Sequence, residues 1–356
     1  MLTRMTRTAA VAATLLASTS AYAQIDVVTS IKPIHSLVAS VMQGVGEPEL
    51  ILKAAGSPHA QSLKPSQAAV IQGAEVIFWV GPELETFLAK PLQTVGADAR
   101  VVELMQAPGL QVLNLREDEN FEAHDHSAHG GEHEEHADHE SHDHDEHHDH
   151  EAHHGHEHEG HEHHDDHDEE HHAHTHDDDH GHHKHEGVDG HIWLDPQNAA
   201  AIVKTVAKTL SEEDPQNAET YSKNAEATLE RLSKLEASID AELAPFEAKP
   251  YFVFHDGYQY FENRFDVPAS GAITLNPEVQ PGAKRIAAIQ KKLKESGASC
   301  IFAEPQFQSR YIDLVASGTD TKIGIIDPIG AELEEGPALY EQLLQNMATS
   351  FSQCLK

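Results

Sequence analysis

A single run of residues limits what this chain can fold into. Between His124 and His185 lie 27 of its 31 histidines, together with 23 aspartates and glutamates as far as Glu186 and one lysine, Lys184. Almost no aliphatic or aromatic side chain interrupts the run. Such a stretch buries too little apolar surface to offset its conformational entropy. The sequence therefore predicts a disordered, low-complexity insertion from about Asp118 to Asp189. A long loop costs little more closure entropy than a short one. The flanking segments can thus belong to one fold although the insertion separates them in sequence.

On both sides of the insertion, short apolar or β-branched runs alternate with helical segments. The predicted strands are Ile25–Ser30, Glu49–Lys53, Val76–Val80 and Arg100–Leu104 before it. After it come Tyr251–Phe254, Ile273–Leu275, Ser299–Ala303 and Lys322–Ile326. Runs of this length and composition suit parallel strands covered on both faces. Helical segments such as Ser66–Gln72, Glu83–Lys90 and Ala283–Glu295 supply the crossovers, and the alternation points to α/β units.

The segment from 195 to 245 departs from this rhythm. Asp195-Pro196 and Asp214-Pro215 each place an N-cap before a proline at the first helical position. The first signal predicts a helix to about Leu210. The second predicts one to about Leu243, with Leu229, Leu232, Leu235, Ile239 and Leu243 on one face. At 1.5 Å per residue, about 28 residues span roughly 42 Å. That exceeds the needs of one small lobe and suits a rigid spine between two. The expected organisation is an N-terminal α/β lobe over residues 24–214, a linking helix over 215–245 and a C-terminal α/β lobe over 246–356. Each lobe is expected to hold a mostly parallel sheet.

Residues 1–23 have the character of a signal peptide. Arg4 and Arg7 give a positive start, Ala9–Ala17 is a short apolar stretch, and Ala21-Tyr22-Ala23 is a small-residue cleavage site. The apolar stretch is far shorter than the ~20 residues a membrane span needs. The expected mature chain begins near Gln24 and is free in the periplasm. In that oxidising compartment Cys300 and Cys354 most simply form one disulfide. The alternative is a pair of metal thiolates, although no CxxC spacing occurs. The formal net charge of −36 argues against nucleic acid as a partner.

Four histidines lie outside the insertion: His35, His59, His191 and His255. Taken singly, such a residue is more often a satisfied core or loop histidine than a ligand, and His35 is assigned to that class, near any site. The other three stand at a loop after a strand, at a helix entry and at the carboxyl end of a strand. Ligands of open α/β sheets bind at such places. Glu304 and Asp327 follow two further predicted strands. Three imidazoles with an open or carboxylate fourth position suit tetrahedral Zn²⁺.

Several motifs resemble those of periplasmic zinc-binding proteins of ABC importers, the ZnuA type. They are Gly56-Ser57-Pro58-His59, Trp79-Val80-Gly81-Pro82-Glu83-Leu84-Glu85, His191-Ile192-Trp193-Leu194-Asp195-Pro196, Phe254-His255-Asp256-Gly257-Tyr258 and Phe302-Ala303-Glu304-Pro305-Gln306. The resemblance runs in order through the whole mature chain. It implies two lobes joined by a long rigid helix, with zinc as transported ligand held between them by His59, His191 and His255. It also implies a disulfide between Cys300 and Cys354, and a membrane permease with its cytoplasmic ATPase as partner of a monomeric carrier. Some relatives have Glu where Pro58 stands, which leaves the fourth position to water or Asp327. Manganese-binding relatives have Glu where His255 stands, so the imidazole there favours zinc.

The insertion is expected to be an accessory that gathers zinc weakly through neutral imidazoles. Two other functions fit parts of the sequence. A zinc hydrolase would use three histidines with Glu304 as general base, but no HExxH occurs. A periplasmic zinc buffer or adhesin would need no permease. The expectation is a binding protein, not an enzyme.

Overall fold

The computed structural model describes residues 25–53, 56–59, 61–116, 121, 187–308 and 310–356. The predicted signal peptide and most of the insertion lie outside the described residues. All eight predicted strands form: β1 (Val27–Thr29), β2 (Glu49–Leu50), β3 (Val76–Trp79), β4 (Arg100–Glu103), β5 (Tyr251–His255), β6 (Gly271–Thr274), β7 (Cys300–Ala303) and β8 (Lys322–Ile325). They make two four-stranded sheets, ordered β2-β1-β3-β4 and β6-β5-β7-β8, and every pairing is parallel. The central strands β1, β3, β5 and β7 are wholly buried, as their uninterrupted apolar sequences require. The edge strands β4 and β8 are the exposed ones.

The helices of the first lobe are α1 (Lys32–Met42), α2 (Pro65–Gly73) and α3 (Thr86–Thr94). Helix α3 starts three residues later than predicted. Glu85 is the reason: its buried carboxylate accepts the strand-exit amides of Val80 and Gly81 at 2.9 and 3.2 Å, and the helix begins only after it. Helix α4 (Pro196–Glu213) starts where predicted, with the Asp195 side chain accepting from Gln197 N at 2.8 Å. After the short turn Pro215–Asn217, α5 (Ala218–Leu243) folds back along α4. Its buried residues Tyr221, Ala225, Thr228, Leu232, Leu235, Ile239 and Leu243 form one stripe. At 26 residues it is about 39 Å long. It packs on α1 of the first lobe and on α9 (Leu339–Leu355) of the second, the role predicted for a spine. The second lobe also holds α6 (Gln259–Arg264), α7 (Ala283–Ser296) and α8 (Arg310–Ala316).

The two lobes are not separable bodies, because the described residues of both fall in one compact unit. Every residue of α1 is buried, and the helix lies against α4, α5 and α9. Ser36 Oγ accepts Tyr340 N at 2.9 Å. Lys32 Nζ donates to the carbonyls of Ala331 and Leu333 at 2.8 and 2.9 Å. Cys300, at the start of β7, is disulfide-bonded to Cys354 in the last turn of α9, with Cα atoms 5.8 Å apart. The metal-thiolate alternative is therefore set aside.

The end of the insertion is corrected. Gly187–Asp189, expected within the disordered run, pairs with Leu113–Leu115. Leu115 N donates to Gly187 O at 2.9 Å, Asp189 N donates to Leu113 O at 2.8 Å, and Asn114 bridges antiparallel to Val188. Val188, Leu113 and Leu115 give this pairing the apolar side chains that the acidic sequence does not supply.

Candidate metal centre

The strand order reverses between β1 and β3 and again between β5 and β7. Crevices open beyond the carboxyl ends of strands at such points. In the second lobe that crevice receives His255, the last residue of β5, and Glu304, the first residue after β7. In the first lobe His59 comes from the loop after β2. His191 precedes the single 3₁₀ turn Ile192–Leu194 that leads into α4. The three imidazoles converge, with one ligating nitrogen of each within 4.8 Å of the others. His191 Nε2 lies 3.2 Å from His59 Nε2 and 3.3 Å from His255 Nε2. For Zn–N bonds of ~2.0–2.1 Å at tetrahedral angles, adjacent nitrogens stand ~3.3 Å apart.

The outward nitrogens explain why the inward ones are bare. His191 Nδ1 is bonded to Asp189 Oδ1 at 2.7 Å, and the same oxygen accepts His191 N at 2.9 Å. His255 Nδ1 is bonded to Glu304 Oε1 at 2.5 Å. A carboxylate on Nδ1 keeps the proton there and leaves Nε2 as a lone pair. Lone pairs that face one another at 3.3 Å repel unless a cation sits between them. Carboxylate–imidazole pairs of this kind orient metal-ligating histidines.

Burial and the two neighbouring imidazoles pull the pKa of His59 down to about 2, so its ring is neutral and free to ligate. For His255 burial also disfavours the charged ring, but the carboxylates of Glu304, Asp256 and Asp189 outweigh it and raise the pKa. The cavity among the rings has a volume of about 10 Å³ and is also lined by Ser57, Trp193, Gln306 and Phe307. That is room for one water-sized species.

Gly257 makes the close approach possible. A Cβ there would fall 2.3 Å from His255 Nε2 and 2.9 Å from His191 Nε2.

Asp327 stands apart from the three rings. Its Oδ1 accepts Gln306 Nε2 at 2.6 Å, Ile329 N at 3.2 Å and Gly330 N at 3.0 Å, and its Oδ2 accepts Ala331 N at 2.6 Å. His35 is 6% exposed inside α1; its Nε2 bonds Pro48 O at 3.0 Å, as expected of a core histidine, while its Nδ1 is buried without a partner. Glu304 Oε1 orients His255, the role the structure gives to the residue considered as a hydrolytic base. The sequence reading missed Asp189, Arg116 and Gly257. Asp189 stands two residues before His191, a spacing that could have signalled it.

Two parallel-sheet lobes that bring three imidazoles together define a two-lobed metal-binding protein. Residues 27–354 match the family described as zinc-uptake complex component A, periplasmic. The chain belongs to this family, the ZnuA family. It is 52% identical over 329 residues to the high-affinity zinc uptake system protein ZnuA of Brucella abortus (strain 2308), covering 92% of this chain and 91% of that one. To the ZnuA of Yersinia pestis it is 34% identical over 344 residues, covering 97% and 95%. A crystal structure of ZnuA superposes with a TM-score of 0.66 at 18% identity, covering 94% of this chain and 100% of that one. A mutant of the laminin-binding adhesin Lmb of Streptococcus agalactiae gives 0.67, also at 18%, covering 93% and 100%. At that identity both likenesses speak to the fold alone.

Proposed function

We propose that this protein captures Zn²⁺ in the periplasm for an ABC importer and delivers it to a membrane permease driven by a cytoplasmic ATPase. His59, His191 and His255 hold the metal. The observation that carries this reading is the convergence of three inward Nε2 atoms, His191 standing at tetrahedral spacing from the other two and two of the rings backed by carboxylates. Membership of a family of zinc-uptake proteins supports the same reading, and that family is one of transport proteins rather than enzymes. An imidazole at His255 in place of a carboxylate favours zinc over manganese.

The fourth position belongs to water or to Asp327. The four hydrogen bonds that hold Asp327 favour water. The carrier acts as a monomer, and the histidine-rich insertion gathers zinc for the tight site. Among the described residues no helix is long and apolar enough to cross a membrane.

Zinc titration tests the reading. Deleting residues 124–185 leaves one tight zinc per chain and removes weaker ones. On that background His59→Ala, His191→Ala and His255→Ala each weaken the tight site by more than ~100-fold, beyond the 10–100-fold of outer-shell losses. Loss of the tight site with the insertion alone would overturn the assignment.

A further inference from the structure

The two ends of the insertion enter the lobes side by side, as the short ribbon of Leu113–Leu115 with Gly187–Asp189. Helix α6 of the second lobe holds both strands of this ribbon. The Tyr260 hydroxyl accepts Leu113 N at 3.1 Å and donates to Asp189 O at 2.8 Å. Gln259 Nε2 donates to Asn114 O at 3.0 Å. One residue past the ribbon, Arg116 reaches the second lobe. Its Nε donates to both oxygens of Asp256 at 3.0 and 3.1 Å, and its Nη1 donates to Glu262 Oε2 at 2.6 Å. Its Nη2 also bonds Asp256 Oδ1, and the Phe121 ring lies 3.8 Å from the guanidinium carbon. The two carboxylates are 3% and 1% exposed.

We propose that Arg116 is a positioning residue for metal retention, pinning Asp256 and with it the adjoining backbone that carries His255. The proposal rests on the reading of the three histidines as the zinc site. Asp256 is bonded in the chain to His255 on one side and to Gly257 on the other, so it cannot shift without moving both. Asp256 and Glu262 are buried carboxylates that share one guanidinium. Without it their repulsion drives them apart. The planar fork serves two carboxylates from two directions at once, whereas an ammonium supplies the charge without that geometry. Asp189, on the facing strand of the ribbon, fixes His191. The root of the insertion and the metal site therefore share one hydrogen-bonded frame.

The test uses the full chain, with Zn²⁺ release followed by chelator competition and site geometry followed by the visible absorption of the Co²⁺-loaded protein. Arg116→Lys releases zinc about 10-fold faster than the parent, and Arg116→Gln about 100-fold faster, in the range of outer-shell losses at metal sites. Both alter the intensity of the Co²⁺ band. Arg116→Gln combined with Glu262→Gln removes the surplus buried charge. It restores the melting temperature of the metal-free protein but not retention, and it carries the test if Arg116→Gln alone does not fold. Parental release rates and Co²⁺ spectra in Arg116→Lys and in the double variant overturn the proposal while leaving the site assignment intact. If His255→Ala retains zinc like the parent, the site assignment fails and the proposal fails with it.

Discussion

His191 and His255 face each other through their Nε2 atoms at 3.3 Å, and the far nitrogen of each ring is already bonded to a carboxylate. The two rings come from different lobes, and when both are neutral, with each Nδ1 proton directed to Asp189 or Glu304, they present lone pairs to each other. The contact is a place for a cation. The carboxylates should therefore matter to metal affinity almost as much as a ligand does. Asp189→Asn and Glu304→Gln are expected to weaken zinc 10–100-fold, with all three ligands still present. Isothermal titration of the metal-free variants measures this. Parental affinity in both would show that the rings are held by packing alone.

Gly257 gives a sharper test of geometry. A methyl group there falls 2.3 Å from His255 Nε2, and His255 is 3% exposed and fixed by Glu304. Gly257→Ala should displace the ring and weaken zinc by at least ~10-fold, as expected for a disturbed metal shell. The metal-free protein should melt within a few degrees of the parent. Unchanged zinc binding would mean that the rings rearrange freely.

Zinc binding should weaken as pH falls, and His255 sets where. Its pKa is raised above the ordinary histidine value because Glu304 and its neighbours outweigh burial, whereas His59 titrates near 2. Protons compete with metal at His255 more readily than at His59, so the loss there begins at a higher pH than for an unperturbed imidazole. In the metal-free protein the sign is the reverse. A raised pKa contributes stability that is fully present below about 6.5 and is lost as pH rises through the folded value. Titrations between pH 7.5 and 5.5 should show falling affinity, and a flat profile would exclude an all-histidine set of protein ligands.

Glu85 carries a second pH dependence, away from the metal. Burial raises its pKa from 4.5 to about 7, and its Oε1 has no hydrogen-bond partner. The folded state therefore prefers the protonated acid. The associated stability is complete below pH 4.5 and lost as pH rises through 7, on the order of 3 kcal/mol for a shift of this size. Glu85→Gln mimics the protonated form. It should raise the melting temperature of the metal-free protein at pH 8 and leave it nearly unchanged at pH 5. Equal effects at both pH values would show that Glu85 keeps its ordinary titration.

Most of the fold was legible because the strands are short, apolar and bounded by turn residues. The central strands are buried along their whole length, so their sequences carry no polar alternation to confuse the reading. Helix α1 was not legible as a helix because it is buried all round, its polar stripe of Lys32, Ser36 and Ser40 facing residues 331–340 instead of solvent. His59, His191 and His255 stood out because few histidines lie outside the insertion. Asp189 and Arg116 did not, since each is one charged residue at the rim of a highly charged run. Their partners are distant in sequence: Arg116 meets Asp256 and Glu262 across 140 and 146 residues. The hydrogen bonds that occupy Asp327 come from the tight turn that follows it and from Gln306, a pattern that only the folded loop reveals.

The Cys300–Cys354 bridge closes a separation of 54 residues, worth about 4 kcal/mol by loop-closure entropy. Its consequence lies in the order of events during synthesis. The centre of the second sheet is fastened to a residue that leaves the ribosome long after β7 does, and α9, which bears that residue, also packs against α1. Both the bridge to β7 and the packing on α1 therefore wait for α9, which follows every strand of both sheets in the chain.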